Sequence, residues 1–338
     1  MSAPRVSVVV PNYNHARFLG QRLDSVFGQT YPDFEVFLLD DASTDDSRKI
    51  LSRYGRDPRA RLVFNEHNGG SPFRQWNRGV GLASGEYVWI AESDDFADEH
   101  FLERLVPVLE TNPGVGIAYC QSSIVDEQGN VTGSYAERFA SVDPDLWRKD
   151  FTMNGREMLR FYQVAMNMIP NASSVLFRKR VFMESGGAVE DMRLAGDWMT
   201  WSRMLLRADV AFTAETLNSF RVHDKTVRSD WLTHQTFALE YASVIRFVCR
   251  SVDVPRGARE LALAKLRARW RRVSRGLTVG GILTLCAAVR AVGGAAAVPR
   301  FLAPGLAGIA RGSVLLRPFY MALKRIRPEP PHDANCAS

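Results

Sequence analysis

Three carboxylates fall within four residues at Glu92-Ser93-Asp94-Asp95. Like charges this close repel, so the group makes sense around a cation: Mg²⁺ or Mn²⁺ held through one or two carboxylates, with phosphate oxygens completing the shell. Alone, the same residues would serve equally as a solvated turn with an aspartate helix cap. A second acidic pair, Asp40-Asp41, stands directly after another apolar run. A carboxylate there either favours the dipole of the helix that follows or accepts a hydrogen bond from a nucleobase N–H or a ribose hydroxyl. The two groups together favour the metal reading. Asp197, in Ala195-Gly196-Asp197-Trp198-Met199-Thr200-Trp201, can cap a helix and also act as a general base partly desolvated by aromatics. Arg221-Val222-His223-Asp224 brings a guanidinium and an imidazole to a further strand end, where they can face a diphosphate, and His223 can also ligate a metal.

The elements that position these residues alternate. Arg5–Val10 is a β-branched run ending at Pro11, followed by helical spacing at Phe18, Leu19, Leu23, Val26 and Phe27. Phe34–Leu39 leads into Asp40-Asp41 and a helix over Asp45–Tyr54. A short run at Arg61–Phe64, a helix near Phe73–Ala83 and the strand Tyr87–Ala91 lead to Glu92; a helix near Asp98–Glu110 and the run Gly116–Cys120 follow. Short apolar strands separated by helices predict βαβ units, a mostly parallel sheet and helices on both faces. In such sheets ligands sit beyond the carboxyl ends of the strands, so Pro11-Asn12-Tyr13-Asn14, Asp40-Asp41 and Glu92–Asp95 should line one crevice. Further on, a helix around Gly155–Val164, a strand at Val175–Arg178, a helix from about Asp197 to Arg207 and a strand at Leu217–Phe220 are expected.

With 338 residues, 46% apolar and 24% charged, the chain is a packed globular protein of one large domain plus an appendage. Four cysteines lie far apart with no C-x-x-C pair, against a disulfide scaffold or a cysteine zinc site and in favour of a reducing, cytoplasmic compartment. The first ten residues read as a strand, not a secretion signal. The net charge of +6 conceals a division: residues 1–255 carry −6 and residues 256–327 carry +14. Gly79-Val80-Gly81-Leu82-Ala83-Ser84-Gly85 imitates a dinucleotide fingerprint but has the wrong spacing and precedes a strand, and no P-loop, G-x-S-x-G or H-E-x-x-H motif is present.

The segments Val6–Asn14, Gln29–Glu35, Asp40–Asp46, Asn68-Gly69-Gly70, Asn77, Ala83–Tyr87 and Glu92–Asp95, in this order and spacing, resemble the family 2 glycosyltransferases over residues 5 to about 225. The resemblance implies a GT-A-type mostly parallel sheet sandwiched by helices, with a Rossmann-like nucleotide-binding half and a C-terminal helical appendage. It implies an inverting, metal-dependent and non-processive transferase using a nucleotide-diphosphate sugar, with UDP favoured, in bacterial surface-glycan synthesis. Pro11, Tyr13, Asn14, Asp41, Asn77, Glu92 and Ser93 would bind the donor. Asp94, Asp95 and His223 would hold Mg²⁺ or Mn²⁺, and Asp197 would be the base, although Gly196 replaces the acid usual before it. Asn171, Ser173 and Trp198 would contact a glycan or lipid-linked acceptor. Processive members carry Q-x-x-R-W, whose nearest match here, Leu266–Trp270, lacks the Gln. Two other readings stand beside this one. A sugar nucleotidyltransferase would carry a Gly-rich, Lys/Arg-bearing loop after the first strand, where this chain has Asn12-Tyr13-Asn14-His15; a non-catalytic nucleotide-sugar-binding protein would keep the pocket and lack turnover.

The expected division is a transferase domain over 1–235 and a basic, mostly helical region over 236–338, with a disordered tail from 328. Its longest uncharged stretch, Gly276–Val289, is shorter than the roughly twenty apolar residues of a spanning helix. The region therefore packs on the catalytic domain or lies on the anionic inner face of the plasma membrane, and a true span, with a costly central Arg290, is the least favoured reading. Nothing in it resembles a nucleic-acid-binding motif.

Overall fold

A computed structural model describes residues 3–223, 231–273 and 277–302. Asp224 and the tail from 328 lie outside the described residues. The strands are β1 (Val6–Asn12), β2 (Phe34–Asp40), β3 (Ala60–Phe64), β4 (Tyr87–Ile90), β5 (Phe96–Ala97), β6 (Val115–Val125), β7 (Val131–Ser134), β8 (Phe151–Met153), β9 (Val175–Arg178) and β10 (Asp209–Arg221). The helices that matter to the site are α1 (Ala16–Phe27), α2 (Ser47–Tyr54), α3 (Pro72–Leu82), α4 (Phe101–Thr111) and α5 (Gly196–Leu205), followed by α6 (Trp231–Ser251), α7 (Arg256–Val273) and α8 (Val279–Gly293).

Every residue of β1 and β2 is buried, as a strand covered on both faces requires. The pleat divides β1 between two cores. Val6, Val8 and Val10 pack with Leu19 and Leu23 of α1 and Leu102 and Leu105 of α4. Val9 packs on the opposite face with Phe73 and Trp76 of α3. Helix α3 lies so close that a Cβ at Gly79 would fall 2.2 Å from Val9 Cγ1, which gives Gly79 of the false dinucleotide fingerprint a packing reason.

The sheet runs β3-β2-β1-β4-β9-β6-β10-β5, with β7 beside β6 and β8 beside β10. Strands β3, β2, β1 and β4 are parallel, as is the β6–β10 pair. β9 is antiparallel to both β4 and β6, joining the two halves. β6 extends beyond the apolar run that marks it, through buried Gln121 and Ser122. Polar residues are tolerated there because they are hydrogen-bonded, as Asn218 Nδ2 to Ser122 Oγ at 3.1 Å illustrates.

Helices α6–α8 do not stand apart. Tyr241, Trp270, Leu285 and Val289 share one core with Trp198 and Trp201 of α5 and Phe212 of β10. Among the described residues, no helix is long and apolar enough to cross a membrane.

Candidate active site

The loops after β1 and β2 interlock. Asn14 adopts φ 55°, a left-handed conformation that asparagine tolerates better than most residues, and Ala42 opposite adopts φ 61°. The turn is fixed on both sides: the Asn14 N–H donates to Ser43 Oγ at 2.9 Å, and the Thr44 N–H donates to Asn14 Oδ1 at 2.8 Å. Tyr13 is left 45% exposed at the mouth, available to a flat ring, while Pro11 stays in the strand opposite Leu39.

The acidic pair divides its work. Asp40 is fully buried and is consumed by Asn12 Nδ2, the Ser43 N–H and Arg48 Nε. Asp41 faces the loop before α3. Its carboxylate accepts from Asn65 Nδ2 at 2.6 Å, Gln75 Nε2 at 2.7 Å and the Gly69 N–H at 2.9 Å. Asn68-Gly69 is thereby drawn over the crevice, with Asn68 Nδ2 donating to the Asp41 carbonyl.

Beyond β4 the residues separate by face. Asp94 and His223 meet, with His223 Nε2 at 3.2 Å from Asp94 Oδ2. His15 completes the group: one ligand atom from each of His15, Asp94 and His223 lies within 4.8 Å of the others. Ser93 orients His15 through a 2.8 Å hydrogen bond to Nδ1. Asp95 is not in this group. It is buried, and its Oδ1 accepts the Arg221 N–H at 2.9 Å. The Arg221 guanidinium reaches the Asp94, Asp126 and Glu127 carbonyls, bracing the cluster from behind.

Glu92 accepts from Trp76 Nε1 at 2.7 Å, and Arg22, fully buried below, donates to the Glu92 carbonyl at 2.8 Å. Burial, with the charge of Asp94 added, pushes the Glu92 carboxyl up to about 8 and that of Asp95 up to about 7. Burial also acts to raise Asp94, but the His223 hydrogen bond and the His15 charge outweigh it and the net shift is downward. Burial lowers His15, which favours the neutral imidazole a metal needs.

Asp197 lies in the first turn of α5. Its Oδ1 accepts the Trp198 N–H at 2.7 Å and its Oδ2 accepts Asn167 Nδ2 at 3.0 Å. It opens onto a cavity of about 560 Å³, also lined by Trp198, Pro170 and Tyr241. Two links join this cavity to the acidic cluster. Trp76, bonded to Glu92, packs on Trp201 of α5 with ring centroids 5.7 Å apart. Three residues beyond Pro170, the Ser173 hydroxyl accepts the Glu92 N–H at 3.1 Å.

Gly196 has a steric explanation: a Cβ there would fall 2.4 to 2.7 Å from the Phe73 ring. An acid cannot occupy the position without displacing the Phe73 ring. Gly196→Ala is expected to destabilise the fold by about 1–3 kcal/mol through overpacking, read by denaturant unfolding; an unchanged midpoint would show that Phe73 yields freely.

The residues suggested by resemblance fall into different places. Asn77 spends both its amide hydrogens and its carbonyl on Ala188 and Glu190, fixing the loop before α5. Ser173 is fully buried, which removes it from contact with an acceptor. Asn171 caps the turn Ala172–Ser174 through the Ser173 N–H. Trp198 does line the cavity. His15 carried no sequence signal beyond its place after Asn14. Glu240 of α6, 9% exposed, carried none: its carboxylate accepts the N–H groups of Arg193, Leu194 and Ala195 at 2.7, 2.8 and 2.8 Å.

Residues 7–183, more than half of the chain, match the profile of Glycosyl transferase family 2. The chain belongs to this family. An uncharacterized glycosyltransferase of Haemophilus influenzae is 27% identical over 233 residues, 68% of either chain. The GalNAc(5)-diNAcBac-PP-undecaprenol beta-1,3-glucosyltransferase of Campylobacter jejuni is 26% identical over 152 residues, 44% of this chain and 48% of that one. Several curated relatives, the Campylobacter one among them, are matched over less than two thirds of their own length. Among solved structures, S. aureus TarS 1–349 in complex with UDP-GlcNAc aligns with TM-score 0.66 at 17% identity, over 95% of this chain and 87% of that one. The mannosyltransferase PcManGT of Pyrobaculum calidifontis, in complex with GDP-Man and Mn²⁺, aligns with TM-score 0.52 at 19% identity, over 96% and 85%. The architecture of this family 2 member is thus the GT-A one, with helices added at the C-terminal end.

Proposed function

We propose that the chain transfers one sugar from a nucleotide-diphosphate sugar to an acceptor hydroxyl with inversion at the anomeric carbon. The observation that carries this reading is a His15–Asp94–His223 cluster beside the β1–β2 loops, joined through Trp76 and Ser173 to the elements that border the cavity onto which Asp197 opens. Tyr13 and Asn14 would meet the base and ribose, with Pro11 forming the floor and Asp41 reading a ring N–H. Glu92 and Ser93 would support the diphosphate end by holding Trp76 and His15. The UDP-GlcNAc complex of the structural neighbour and the undecaprenol-linked acceptor in the Campylobacter relative's name favour a UDP-sugar and a glycan or lipid-linked acceptor of the cell surface.

Two imidazoles and one carboxylate suit Mn²⁺ better than Mg²⁺, which prefers oxygen ligands, so His15, Asp94 and His223 fit a divalent transition ion. Such an ion supplies charge neutralisation for the diphosphate as it leaves. Asp197 takes the proton of the acceptor hydroxyl while that oxygen bonds to the anomeric carbon. The sugar–phosphate C–O bond breaks in the same step, its electron pair leaving on the nucleotide diphosphate. Arg221 and Ser93 keep Asp94 and His15 in place meanwhile.

Calorimetry with UDP, GDP, dTDP and CMP, each with and without Mn²⁺, tests the reading: one nucleotide should bind, and bind more tightly with Mn²⁺, and uptake of none would contradict it. His15→Ala should weaken Mn²⁺ binding at least about tenfold in an electron paramagnetic resonance titration; unchanged affinity would remove His15 from the ligand set. A location at an anionic membrane face is favoured by the +14 charge of residues 256–327 and by Val279 and Leu283, 75% and 64% exposed on α8.

A further inference from the structure

Asp197 is reached from outside its own helix by a chain of amides. Its Oδ2 accepts Asn167 Nδ2 at 3.0 Å. Asn167 Oδ1 accepts Gln163 Nε2 at 3.2 Å, and Gln163 Oε1 accepts the Met168 N–H at 2.6 Å. Gln163 is fully buried and ends a π-helical turn, Leu159–Gln163, closed by the Val164 N–H on the Leu159 carbonyl at 3.0 Å. Single turns of this kind are rare and are found often at functional sites. The Gln163 carbonyl accepts Trp198 Nε1 at 2.9 Å, so the same residue also grips the neighbour of Asp197.

Two backbone donors set the sense of both amides. The Met168 N–H can only donate, so Gln163 turns its oxygen to it and its nitrogen to Asn167. The Ile169 N–H, donating to Asn167 Oδ1 at 3.1 Å, makes the same demand on Asn167. An inverted Asn167 amide would set its nitrogen against two donors and its oxygen against the Asp197 carboxylate. Met168 and Ile169 are fully buried, which anchors the backbone that imposes this sense. The Tyr241 hydroxyl of α6 donates to the Ala165 carbonyl and ties the same loop to the C-terminal helices.

We propose that Asn167, locked in sense by Gln163 and the Ile169 N–H, is a positioning residue for the base Asp197. The proposal rests on the transferase reading above and deepens it. A hydrogen bond donated to a carboxylate favours its charged form, so Asp197 is kept ionised until the acceptor arrives. The Trp198 N–H on Oδ1 and Asn167 Nδ2 on Oδ2 fix the carboxylate plane from two sides. The lone pairs left over then keep one direction at the cavity onto which Asp197 opens. A base fixed in direction needs less reorganisation to reach the reactive geometry.

The test uses the full chain with Mn²⁺ and UDP-GlcNAc or GDP-mannose, water standing in for the acceptor, and reads nucleotide release. Asn167→Asp keeps the oxygen that Gln163 and Ile169 bind and sets a second oxygen against Asp197 Oδ2, so the two carboxyls compete for one proton. It should lower kcat by about 10- to 100-fold, the loss expected when a hydrogen bond to a charged group is removed. KM for the donor should change by less than about twofold, since donor binding is not what the bond supports. Asn167→Ala should act in the same direction. In the Asp197→Asn background, Asn167→Ala should cost no further turnover, because residues that act through one group are not additive. A residue needed only for folding would multiply the loss. A kcat of Asn167→Asp close to the parent's, or an equal loss in both backgrounds, overturns the proposal. A parent chain that releases nucleotide from neither donor contradicts the transferase reading itself, and release that Asp197→Asn leaves unchanged removes the base and this role with it.

Discussion

Asp197→Asn should lower turnover by about 100- to 10,000-fold, the range a positioned general base contributes, while donor affinity is preserved. The substitution keeps the side chain's shape and one acceptor, so Trp198 N–H can still be satisfied. It places an amide against Asn167 Nδ2, which now donates to Asp197 Oδ2 at 3.0 Å, and the Asn167 carbonyl is held by the Ile169 N–H at 3.1 Å and Gln163 Nε2 at 3.2 Å, so one hydrogen bond is lost. The stability cost should be about 1 kcal/mol and the catalytic cost far larger. Steady-state turnover beside calorimetric nucleotide affinity separates the two. Turnover close to that of the parent chain would remove Asp197 as the base. A parent chain that binds donor and never turns over would favour the binding-protein reading.

Glu240→Ala should be the most destabilising single change near the site. Three backbone N–H groups, on Arg193, Leu194 and Ala195, lose one buried carboxylate at 2.7 to 2.8 Å. A buried donor left without a partner costs about 1–3 kcal/mol. Partial relaxation of the loop brings the expected total to about 2–5 kcal/mol, the scale of breaking a buried charged network. Thermal unfolding should shift downward by on the order of 10 °C in a chain of this size. Turnover should fall as well, because the released segment ends at Asp197. Glu240→Gln keeps one acceptor oxygen and should fall between the two. A melting temperature within a degree or two of the parent's would show that the three donors find other partners.

The sequence made the sheet legible where burial is two-sided. β1, β2 and β4 are mostly apolar runs, broken inside only by Ser7 and Glu35, and each stops at a polar cluster that the fold brings to the same edge. The antiparallel insertion of β9 was not legible, since a four-residue apolar run carries no direction. β6 outran its apolar signal because cross-strand hydrogen bonding makes Gln121 and Ser122 acceptable inside a sheet.

At the site, residue type was easier to read than facing. Asp94 and Asp95 are adjacent in sequence, but one turns to His223 and the other to the Arg221 backbone. His15 joins Asp94 only because Asn14 takes a left-handed turn and Ser93 supplies a hydrogen bond, two facts that composition does not encode. Asn77 has the residue type expected of a donor contact, yet its amide is spent on the loop before α5. Glu240 lies 43 positions beyond Asp197 within a helix, where nothing local distinguishes it from a solvated acid. Long-range hydrogen bonds of this kind are properties of the packed chain.

Diffraction from a crystal grown with Mn²⁺ and a UDP-sugar, recorded at an energy where manganese scatters anomalously, tests the central claim most directly. The expected result is a single manganese peak bounded by His15, Asp94 and His223, touching the diphosphate, with the base near Tyr13 and Asp41 and the anomeric carbon facing Asp197. A manganese peak away from that triad, or a nucleotide bound where Asp197 cannot reach the sugar, would contradict it.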